Sequence, residues 1–362
     1  MKKAYKKKII IFRTDRLGDY IIHSRPIYEL KKKENAEIII VCSKTNIEII
    51  KKSSFVDKVI LYNKDDALFT KIKNFFEIIK HKYYASIVLD GKSFSYFCNI
   101  FIRSEKKLGI VYKKIKKIFN FEIYFLRSGR IYNYFFFDKI VFFTSKLSLK
   151  KIENLCSLYL TLFNEFGLSL TPKDKYIFEN FKKYEDEFLI LNQKLNLNNY
   201  LLIHLDEKWT DIQNIETNLL DEISNLQKKI NKKILISSFN NNHNYYKNLK
   251  KNFNNIDANI YSLSNNENIF LYENSGIFLF EKLIDRSFCA ISCHSGFLVQ
   301  VSGANKSNII DIINEKDFIW YSCWKPLNTK HKFIFKSINN NKRNLQVIIN
   351  EINVYLEKEI HL

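Results

Sequence analysis

Short apolar runs alternate with longer amphipathic stretches along this chain, and the alternation occurs twice. Several apolar runs between residues 8 and 89 are typical of strands buried on both faces, and segments with helical periodicity separate them. The same order restarts at residues 200–205 and continues to a late strand at 307–313. Strands that alternate with helices form parallel sheets with right-handed crossovers, so the sequence predicts two doubly wound α/β domains.

The length of 362 residues suits two domains. We predict an N-terminal domain at residues 1–170, a linker at 171–198, a second domain at 199–340 and a C-terminal helix at 341–362. Ligands of open α/β sheets bind beyond the carboxyl ends of the strands. We therefore expect the two domains to face each other across a cleft that holds the substrates.

Positive charge is concentrated in the first part of the chain. Residues 1–150 hold 33 basic and 14 acidic side chains, a net charge of +19, whereas residues 151–362 hold 25 and 24, a net charge of +1. Drift toward A/T-rich codons enriches lysine overall, but it does not place the charge unevenly. The asymmetry indicates an acidic partner for the first domain: nucleic acid, anionic lipid or a phosphorylated small molecule.

Other sequence signals argue against export and against a metal site. The six cysteines are scattered and contain no C-x-x-C pair, which predicts reduced, buried thiols and no zinc site. No apolar run approaches the roughly 18–20 residues of a membrane helix. The apolar stretch after the basic N-terminus is shorter than the about 7–15 residues that a secretory signal needs. We therefore expect a cytoplasmic protein.

The turn Arg13-Thr-Asp-Arg-Leu-Gly-Asp19 connects the first predicted strand to a helix that we place at residues 20–33. Glycine is rare in this chain, so Gly18 is expected to serve a positive φ or the close approach of a ligand. Asp19 lies at the helix N-terminus, where it either caps the helix, worth ~1 kcal/mol, or acts as a catalytic carboxylate. No G-x-G-x-x-G fingerprint and no P-loop lysine accompany the turn.

Two further features lie in the second half. Lys208-Trp209 follows the strand at 200–205, where the ammonium group either binds a phosphate or is a solvated loop cation. His294-Ser295-Gly296 ends a strand and begins a helix, whose N-terminal amide groups can bind an anion. His294 is alternatively a structural histidine, and Ser295 is not in a nucleophile elbow.

These features together resemble a known enzyme family. Arg13-x-Asp15-x-x-Gly18-Asp19, followed by Pro26 and a helix ending in Glu-Leu-Lys, resembles the opening of the ADP-heptose:lipopolysaccharide heptosyltransferases, glycosyltransferase family 9. Lys208-Trp209 and Ile-Ser-x-x-Ser295-Gly296 follow in the same order, from about residue 8 to about 313. The resemblance implies the GT-B fold, two Rossmann-like domains with the active site between them, and an inverting reaction that uses a nucleotide-sugar donor without a metal or cofactor.

The resemblance also implies a role for individual residues. Asp19 corresponds to the general base toward the acceptor hydroxyl, and Lys208 to the lysine that contacts the donor diphosphate. The remaining donor-binding residues are His294, Ser295, Gly296 and Phe297, and the acceptor-binding residues are Arg13, Arg16 and Gly18. In the family, the position of His294 is typically an aspartate expected to bind the donor sugar, so the sugar stays open. Alternatives are a different donor in capsule or other glycan synthesis, or an inactive member.

The basic first domain fits the acceptor that the resemblance implies, an anionic, lipid-anchored core oligosaccharide. Lys113, Lys114, Lys116 and Lys117, with the aromatic tract at 132–143, are predicted to dock it at the inner face of the cytoplasmic membrane, at about 1 kcal/mol per basic residue. Alternatively the aromatic residues are core strands and the lysines a solvated loop. A nucleic-acid-binding protein is the remaining hypothesis, but no RRM-like motif supports it, and we expect no nucleic-acid partner.

Overall fold

A computed structural model describes residues 6–118, 121–126, 136–143, 155–171, 173, 182–239 and 241–359. The chain divides into two compact units. Unit 1 comprises Met1–Glu179 with Ser322–Trp324, and unit 2 comprises Asn180–Tyr321 with Lys325–Leu362. Each unit has its own sheet, so each has its own hydrophobic core.

Unit 1 is built on a seven-stranded sheet. Its elements are β1 (Lys8–Arg13), α1 (Leu17–Glu34), β2 (Glu37–Cys42), α2 (Ile47–Lys52), β3 (Lys58–Leu61), α3 (Leu68–Ile79), β4 (Lys82–Val88), α4 (Ser93–Phe101), β5 (Arg103–Ile118), β6 (Phe121–Leu126), β7 (Lys139–Phe143) and α5 (Cys156–Asn164). The strand order is β3-β2-β1-β4-β5-β6, and β7 also pairs with β5. The pairs from β3 to β5 are parallel, whereas β6 runs antiparallel to β5.

Unit 2 is built on a nine-stranded sheet. The elements in this part of the chain are α6 (Lys182–Leu195), β8 (Leu201–Leu205), α7 (Ile215–Ile230), β9 (Ile234–Ser238), α8 (Asn244–Lys250), β10 (Phe253–Asp257), β11 (Ile260–Leu263), β12 (Asn266–Glu273), α9 (Ile277–Arg286), β13 (Cys289–Ser292), α10 (Gly296–Asn305), β14 (Asn308–Asn314), α11 (Phe318–Ser322), β15 (His331–Ile338), β16 (Asn341–Lys342) and α12 (Leu345–Glu359). The strand order is β10-β11-β12-β9-β8-β13-β14-β15-β16. The strands from β12 to β15 are parallel, and antiparallel pairs complete both edges.

The central strands form because they are apolar on both faces. Every residue of β8 is buried, as are the last five residues of β1. Helices cover both faces of a doubly wound sheet, and full burial of each isoleucine or leucine stabilises the fold by roughly 1.5–3 kcal/mol. Helices α7 and α12 add their own buried faces to the core of unit 2.

Asparagine takes the place of glycine at most left-handed backbone positions. Among the described residues, eleven residues other than glycine have a positive φ, and nine of them are asparagine. Asn35 and Asn231 are the C-caps of α1 and α7, where each backbone N–H bonds a carbonyl of the last helical turn. Asparagine tolerates this conformation better than other residues with a side chain, so a glycine-poor chain still ends its helices.

Several predicted elements need correction. The predicted linker at 171–198 contains α6, a helix of unit 2 whose Phe188 and Leu191 are buried. An antiparallel hairpin of β10 and β11 lies at one edge of the second sheet, which the prediction of a doubly wound parallel sheet does not include. The loop alternative for the four lysines between 113 and 117 is wrong, because their backbone belongs to β5, which pairs with β4, β7 and β6 in turn.

All six cysteines lie within the described residues, are buried and form no disulfide with one another. Burial raises the pKa of the Cys42 thiol to about 12, so this thiol is protonated at neutral pH. Among the described residues, no helix is both long enough and apolar enough to span a bilayer.

Candidate active site

Arg13 is the centre of the turn between β1 and α1. Its guanidinium is 1% exposed and lies at the carboxyl end of β1. Nη1 donates to Leu89 O at 2.6 Å and to Asp15 Oδ2 at 3.2 Å, and Nε donates to Asp19 O at 2.9 Å. A buried guanidinium must be paired in this way, because an isolated buried charge is costly. Arg13 therefore fixes the ends of β1 and β4 and the start of α1.

Asp19 is the third residue of α1 and makes the contact expected of a helix cap. Its Oδ2 accepts a hydrogen bond from the backbone N–H of Arg16 at 3.3 Å, and its Oδ1 lies 3.6 Å from Arg13 Nη2. The side chain is nevertheless 40% exposed, so the carboxylate is both held in place and accessible. Capping and proton acceptance are compatible here, because a carboxylate oxygen has a second lone pair.

The other predicted acceptor-binding residues, Arg16 and Gly18, differ from each other in exposure, and Gly18 differs from the prediction in its backbone conformation. Arg16 is the N-cap of α1 and is exposed. Gly18 is buried in the first turn of α1, which begins at Leu17, three residues before the predicted start, and it does not have a positive φ. The positive-φ alternative for Gly18 is therefore wrong, and the close approach of a ligand stays a prediction. Arg13 is buried and contacts both the carbonyl and the carboxylate of Asp19, and its binding of an acceptor stays a prediction.

Two further carboxylates, Asp15 and Asp90, lie beside this turn. Asp90 follows β4 and is buried; its Oδ2 accepts from Thr14 Oγ1 at 2.6 Å and from Ser95 Oγ at 2.8 Å. Burial raises the pKa of Asp15 to about 6, although Arg13 opposes the shift. Sequence reasoning did not single out Asp90, although an aspartate directly after a buried strand is the signal that identifies such positions.

In unit 2, Lys208 lies in a short 3-10 turn at Glu207–Asp211, directly after β8. The Oδ1 of Asp206 caps this turn by accepting from the Lys208 backbone N–H at 3.0 Å. The ammonium Nζ donates to His294 O at 2.6 Å, so the side chain reaches the loop before α10. The Lys208 carbonyl in turn accepts from the buried ammonium of Lys336 at 2.6 Å. The lysine is therefore a fixed charge and not a solvated loop side chain.

The N-terminus of α10 lies beside this ammonium. Ser295 is the N-cap, and its carbonyl accepts the helix bond of the Val299 N–H at 2.9 Å. Gly296 and Phe297 lie in the first turn of α10, and the first four N–H groups of an α-helix are directed out of its N-terminus. A Cβ at Gly296 would meet no atom within 4 Å, so the space beside it is open. The Phe297 side chain is mostly buried, next to Phe280, so only its backbone suits a ligand.

His294 is oriented by a buried carboxylate that the sequence did not single out. Its Nδ1 lies 2.7 Å from Asp311 Oδ2, its ring stacks on Tyr321 with centroids 3.4 Å apart, and its φ is +54°. Burial alone raises the pKa of Asp311, but the charges and hydrogen bonds of His294 and His331 bring it below its usual value. The histidine is thus structurally held, yet its Nε2 remains available for a ligand. An aspartate within the apolar run of β14 is the sequence signal for it.

His204 and Asp206 have opposite pKa shifts at the end of β8. Burial lowers the pKa of His204 to about 4, so the imidazole is neutral at neutral pH and its Nδ1 lies 3.0 Å from Ser237 Oγ. Burial raises the pKa of Asp206 to about 6, although Lys208 opposes it. An ionised Asp206 therefore lowers the stability of the folded state at neutral pH.

This shift gives a testable pH dependence. Folded Asp206 binds its proton more tightly than the unfolded carboxyl, whose pKa is about 3.9, so its contribution to stability falls as pH rises from about 4 to 6. We expect Asp206→Asn to increase the free energy of unfolding at pH 7.5, by up to about 3 kcal/mol, and to change it little near pH 4. Urea denaturation at pH 4.5 and 7.5 measures this, with the exposed Asp65→Asn as control. An equal effect at both pH values would contradict it.

The predicted docking residues lie only partly within the described residues. The backbone of Lys113, Lys114, Lys116 and Lys117 belongs to β5 and pairs with β6, so the solvated-loop alternative is wrong. Residues 132–135 of the aromatic tract lie outside the described residues. In β7, Phe143 is buried and Phe142 is partly exposed. The tract thus supplies both a core strand and exposed aromatic surface.

Within the described ranges, no group of three or more histidine, cysteine, aspartate or glutamate side chains is arranged to hold a metal ion. The predicted site residues instead form two groups. In unit 1 the turn brings together Arg13, Asp15, Arg16 and Asp19, and in unit 2 the strand ends bring together Lys208, His294 and Ser295. Each group lies at the carboxyl ends of parallel strands, as predicted.

Solved glycosyltransferase structures share this architecture. A family 9 glycosyl transferase from Veillonella parvula has a TM-score of 0.68 to this chain at 12% identity, covering 98% of this chain and 97% of that one. The Escherichia coli ADP-heptose lipopolysaccharide heptosyltransferase II has a TM-score of 0.64 at 11% identity, covering 98% of each chain. The chain has a GT-B-like fold. No family model and no curated protein matches the sequence.

The GT-B-like fold also matches that of the E. coli heptosyltransferase WaaC with ADP, with a TM-score of 0.64 at 13% identity over 97% of this chain and 99% of that one. The predicted fold class, two Rossmann-like α/β units resembling heptosyltransferases, is therefore confirmed. The roles of the site residues stay predictions, because identities of this size establish the fold alone.

Proposed function

We propose that the chain is an inverting glycosyltransferase that moves a sugar from a nucleoside-diphosphate donor to a hydroxyl group of an anionic glycolipid. The observation that carries the proposal is the position of Lys208 Nζ beside the loop that enters α10, within a GT-B-like fold. An ammonium group and a helix N-terminus are both positive, so their proximity is unfavourable until an anion binds. A diphosphate has the charge and the oxygen atoms for this position.

The donor diphosphate is proposed to bind Lys208 and the amides of Gly296 and Phe297. When the bond between the anomeric carbon and the diphosphate oxygen breaks, negative charge develops on that oxygen. A fixed ammonium group and preorganised amides stabilise the developing charge more than they stabilise the bound donor. In this proposal the protein's own positive charge does the work, and neither a metal nor a cofactor takes part.

Asp19 is the proposed general base. Its carboxylate accepts the proton of the acceptor hydroxyl while that oxygen bonds to the anomeric carbon on the side opposite the leaving diphosphate, which inverts the configuration. Arg13 positions Asp19 through the contacts to its carbonyl and carboxylate. Partial exposure of Asp19 leaves room for the acceptor hydroxyl.

His294 is proposed to contact the donor sugar through Nε2. Asp311 fixes the orientation of the ring by its contact with Nδ1, as carboxylates do for functional histidines. When Nδ1–H donates to the Asp311 carboxylate, Nε2 accepts a hydrogen bond from the sugar, as the aspartate that the family resemblance places at this position would. The proposed donor carries a heptose or a related sugar, with ADP-heptose the candidate that the family resemblance suggests, and the alternative is the same chemistry with a different donor in capsule or other glycan synthesis.

The acceptor is proposed to be an anionic glycolipid, such as a lipopolysaccharide core, at the inner face of the cytoplasmic membrane. The net charge of +19 on residues 1–150 supports it, as do the β5 lysines at 113, 114, 116 and 117. Basic residues near anionic lipid contribute about 1 kcal/mol each. Nucleic acid is not a proposed partner, since the α10 position suits a compact diphosphate and no binding motif accompanies the charge.

Thermal unfolding in the presence of nucleotide sugars tests the proposal. ADP-, GDP-, UDP- and CMP-linked donors are compared at equal concentration, and one class is expected to raise the melting temperature by several degrees, since ligand at 100 times its Kd adds about 2.7 kcal/mol. Absence of stabilisation by every donor would overturn the proposal. Salt-sensitive binding to arbitrary DNA or RNA at physiological ionic strength, without any donor effect, would favour the nucleic-acid alternative instead.

A further inference from the structure

Helices α3 and α4 of unit 1 expose large apolar side chains next to one another. Phe69 is 78% exposed and Phe76 is 59% exposed. We define the α3–α4 apolar surface as Leu68, Phe69, Ile72 and Phe76 of α3 with Phe97 and Phe101 of α4. Single exposed apolar residues are ordinary, but a contiguous group marks an interaction site.

The exposure follows from the way in which α3 packs. Ile78 is fully buried, and Asn74 Nδ2 donates to Leu61 O at 2.8 Å, so the side of α3 that carries them faces the sheet. The four exposed residues of α3 recur at helical spacing on the other side. This helix therefore has a second apolar face, which the core of unit 1 does not use.

Phe75 joins the two helices into one surface. Its ring centroid lies 5.2 Å from that of Phe97 and 5.5 Å from that of Phe101, and the rings of Phe97 and Phe101 are 5.1 Å apart. Aromatic contacts of this geometry are favourable. They connect the exposed rings of α4 to α3, so the apolar residues of the two helices are neighbours on one surface.

Lysines border the α3–α4 apolar surface. Lys71 and Lys73 lie on α3 and have no acidic partner among the described residues, whereas Lys80 pairs with Glu77. The long lysine stems can lie along apolar surface while their ammonium groups reach the phosphate level of a bilayer. An apolar face flanked by lysines on a basic unit is complementary to anionic lipid.

We propose that the α3–α4 apolar surface inserts into the interface of an anionic bilayer and holds unit 1 at the membrane. This proposal does not depend on the reaction, because it uses none of the residues assigned to donor or acceptor chemistry. A second copy of the chain is a poorer occupant, since it would bring like-charged lysines and another strongly basic unit together. Insertion places the aromatic rings among the acyl chains and the lysines beside lipid phosphates.

Vesicle sedimentation without donor or acceptor tests the proposal, so its outcome is separate from that of the glycosyltransferase assignment. The wild type is expected to bind vesicles of 70% phosphatidylcholine and 30% phosphatidylglycerol more tightly than vesicles of phosphatidylcholine alone. Phe69→Ser/Phe76→Ser is expected to weaken binding to the anionic vesicles at least tenfold. Ile190→Ser/Val354→Ser removes exposed apolar residues of α6 and α12, 67% and 47% exposed, and is expected to bind as the wild type does.

A fluorescence measurement keeps the proposal testable if a serine variant is unstable. Phe69→Trp is expected to be quenched by vesicles that contain brominated phosphatidylcholine, beyond the quenching of the wild-type tryptophans. Unchanged quenching, or equal binding by the double serine variant, would overturn the proposal. The proposal would also be overturned if vesicle binding were lost only in a variant with the four β5 lysines changed to glutamate. A third contrary result would be a dimer of the wild type that the double serine variant dissociates, with vesicle binding unchanged.

Discussion

Replacing Asp19 by asparagine is expected to lower the rate of sugar transfer by about 10²–10⁴-fold, the usual contribution of a general base. The amide cannot accept the acceptor proton, yet its oxygen can still accept the hydrogen bond from the Arg16 N–H. Helix capping is therefore retained while proton transfer is lost. Initial rates with saturating donor, together with the melting temperature of the variant, measure the two effects separately.

Asp15→Asn is the matched control for Asp19→Asn. Asp15 shares the guanidinium of Arg13 but is less exposed, and its raised pKa indicates that burial disfavours its charged form. We expect this variant to transfer sugar within about tenfold of the wild type, since it removes no proposed proton acceptor. If Asp19→Asn retained full turnover, or if Asp15→Asn lost as much, the base would be misassigned.

Replacing Lys208 by methionine is expected to lower kcat by about 10²–10³-fold, the loss found when one preorganised group at a developing anion is removed. Methionine retains most of the aliphatic stem, so the packing of the turn is preserved while the charge is lost. Donor affinity is expected to fall as well, and the stabilisation by nucleotide sugars in thermal unfolding should decrease. Steady-state kinetics and the melting curves measure the two quantities.

Lys342→Met provides the control for this second prediction. Lys342 is exposed, and its Nζ donates to Thr210 O at 3.4 Å. Thr210 belongs to the same 3-10 turn as Lys208, so both ammonium groups lie near this turn, but that of Lys208 bonds His294 O instead. Lys342→Met changes the net charge by the same amount, so any long-range electrostatic effect is shared. Equal losses in the two variants would show that overall charge, and not the position of Lys208, governs donor binding.

Sequence patterns located the central strands well, because parallel strands buried on both faces are continuous apolar runs. The strand predicted at 200–205 coincides with β8 to within one residue, and the C-terminal helix predicted at 341–362 contains α12, Leu345–Glu359. A strand that contains polar residues, such as β15, has no long continuous apolar run, and the sequence pattern did not predict it. Lys336 is buried in β15 because its ammonium bonds Lys208 O and Asp211, more than a hundred residues away, and no local pattern reveals such partners.

The candidate site residues at strand ends could be predicted, because apolar runs in the sequence show where the buried strands end. Asp19, Lys208 and Ser295 follow strand ends, and the order of elements alone gives that position. The pairing of His294 with Asp311 depends on β13 and β14 being neighbours in register, with Ser292 opposite Asp311. A register between separate strands is set by packing of the whole sheet, so the aspartate that orients His294 became visible only in three dimensions.

Asparagine occupies nine left-handed positions among the described residues, and this bears on how similar architectures can have dissimilar sequences. An exchange between glycine and asparagine at such a position leaves the chain path unchanged, because both tolerate the conformation. Each exchange still counts as a mismatch when sequences are aligned. A compositional trend can therefore erase identity faster than it alters architecture, which is one physical route to a TM-score of 0.68 at only 12% identity.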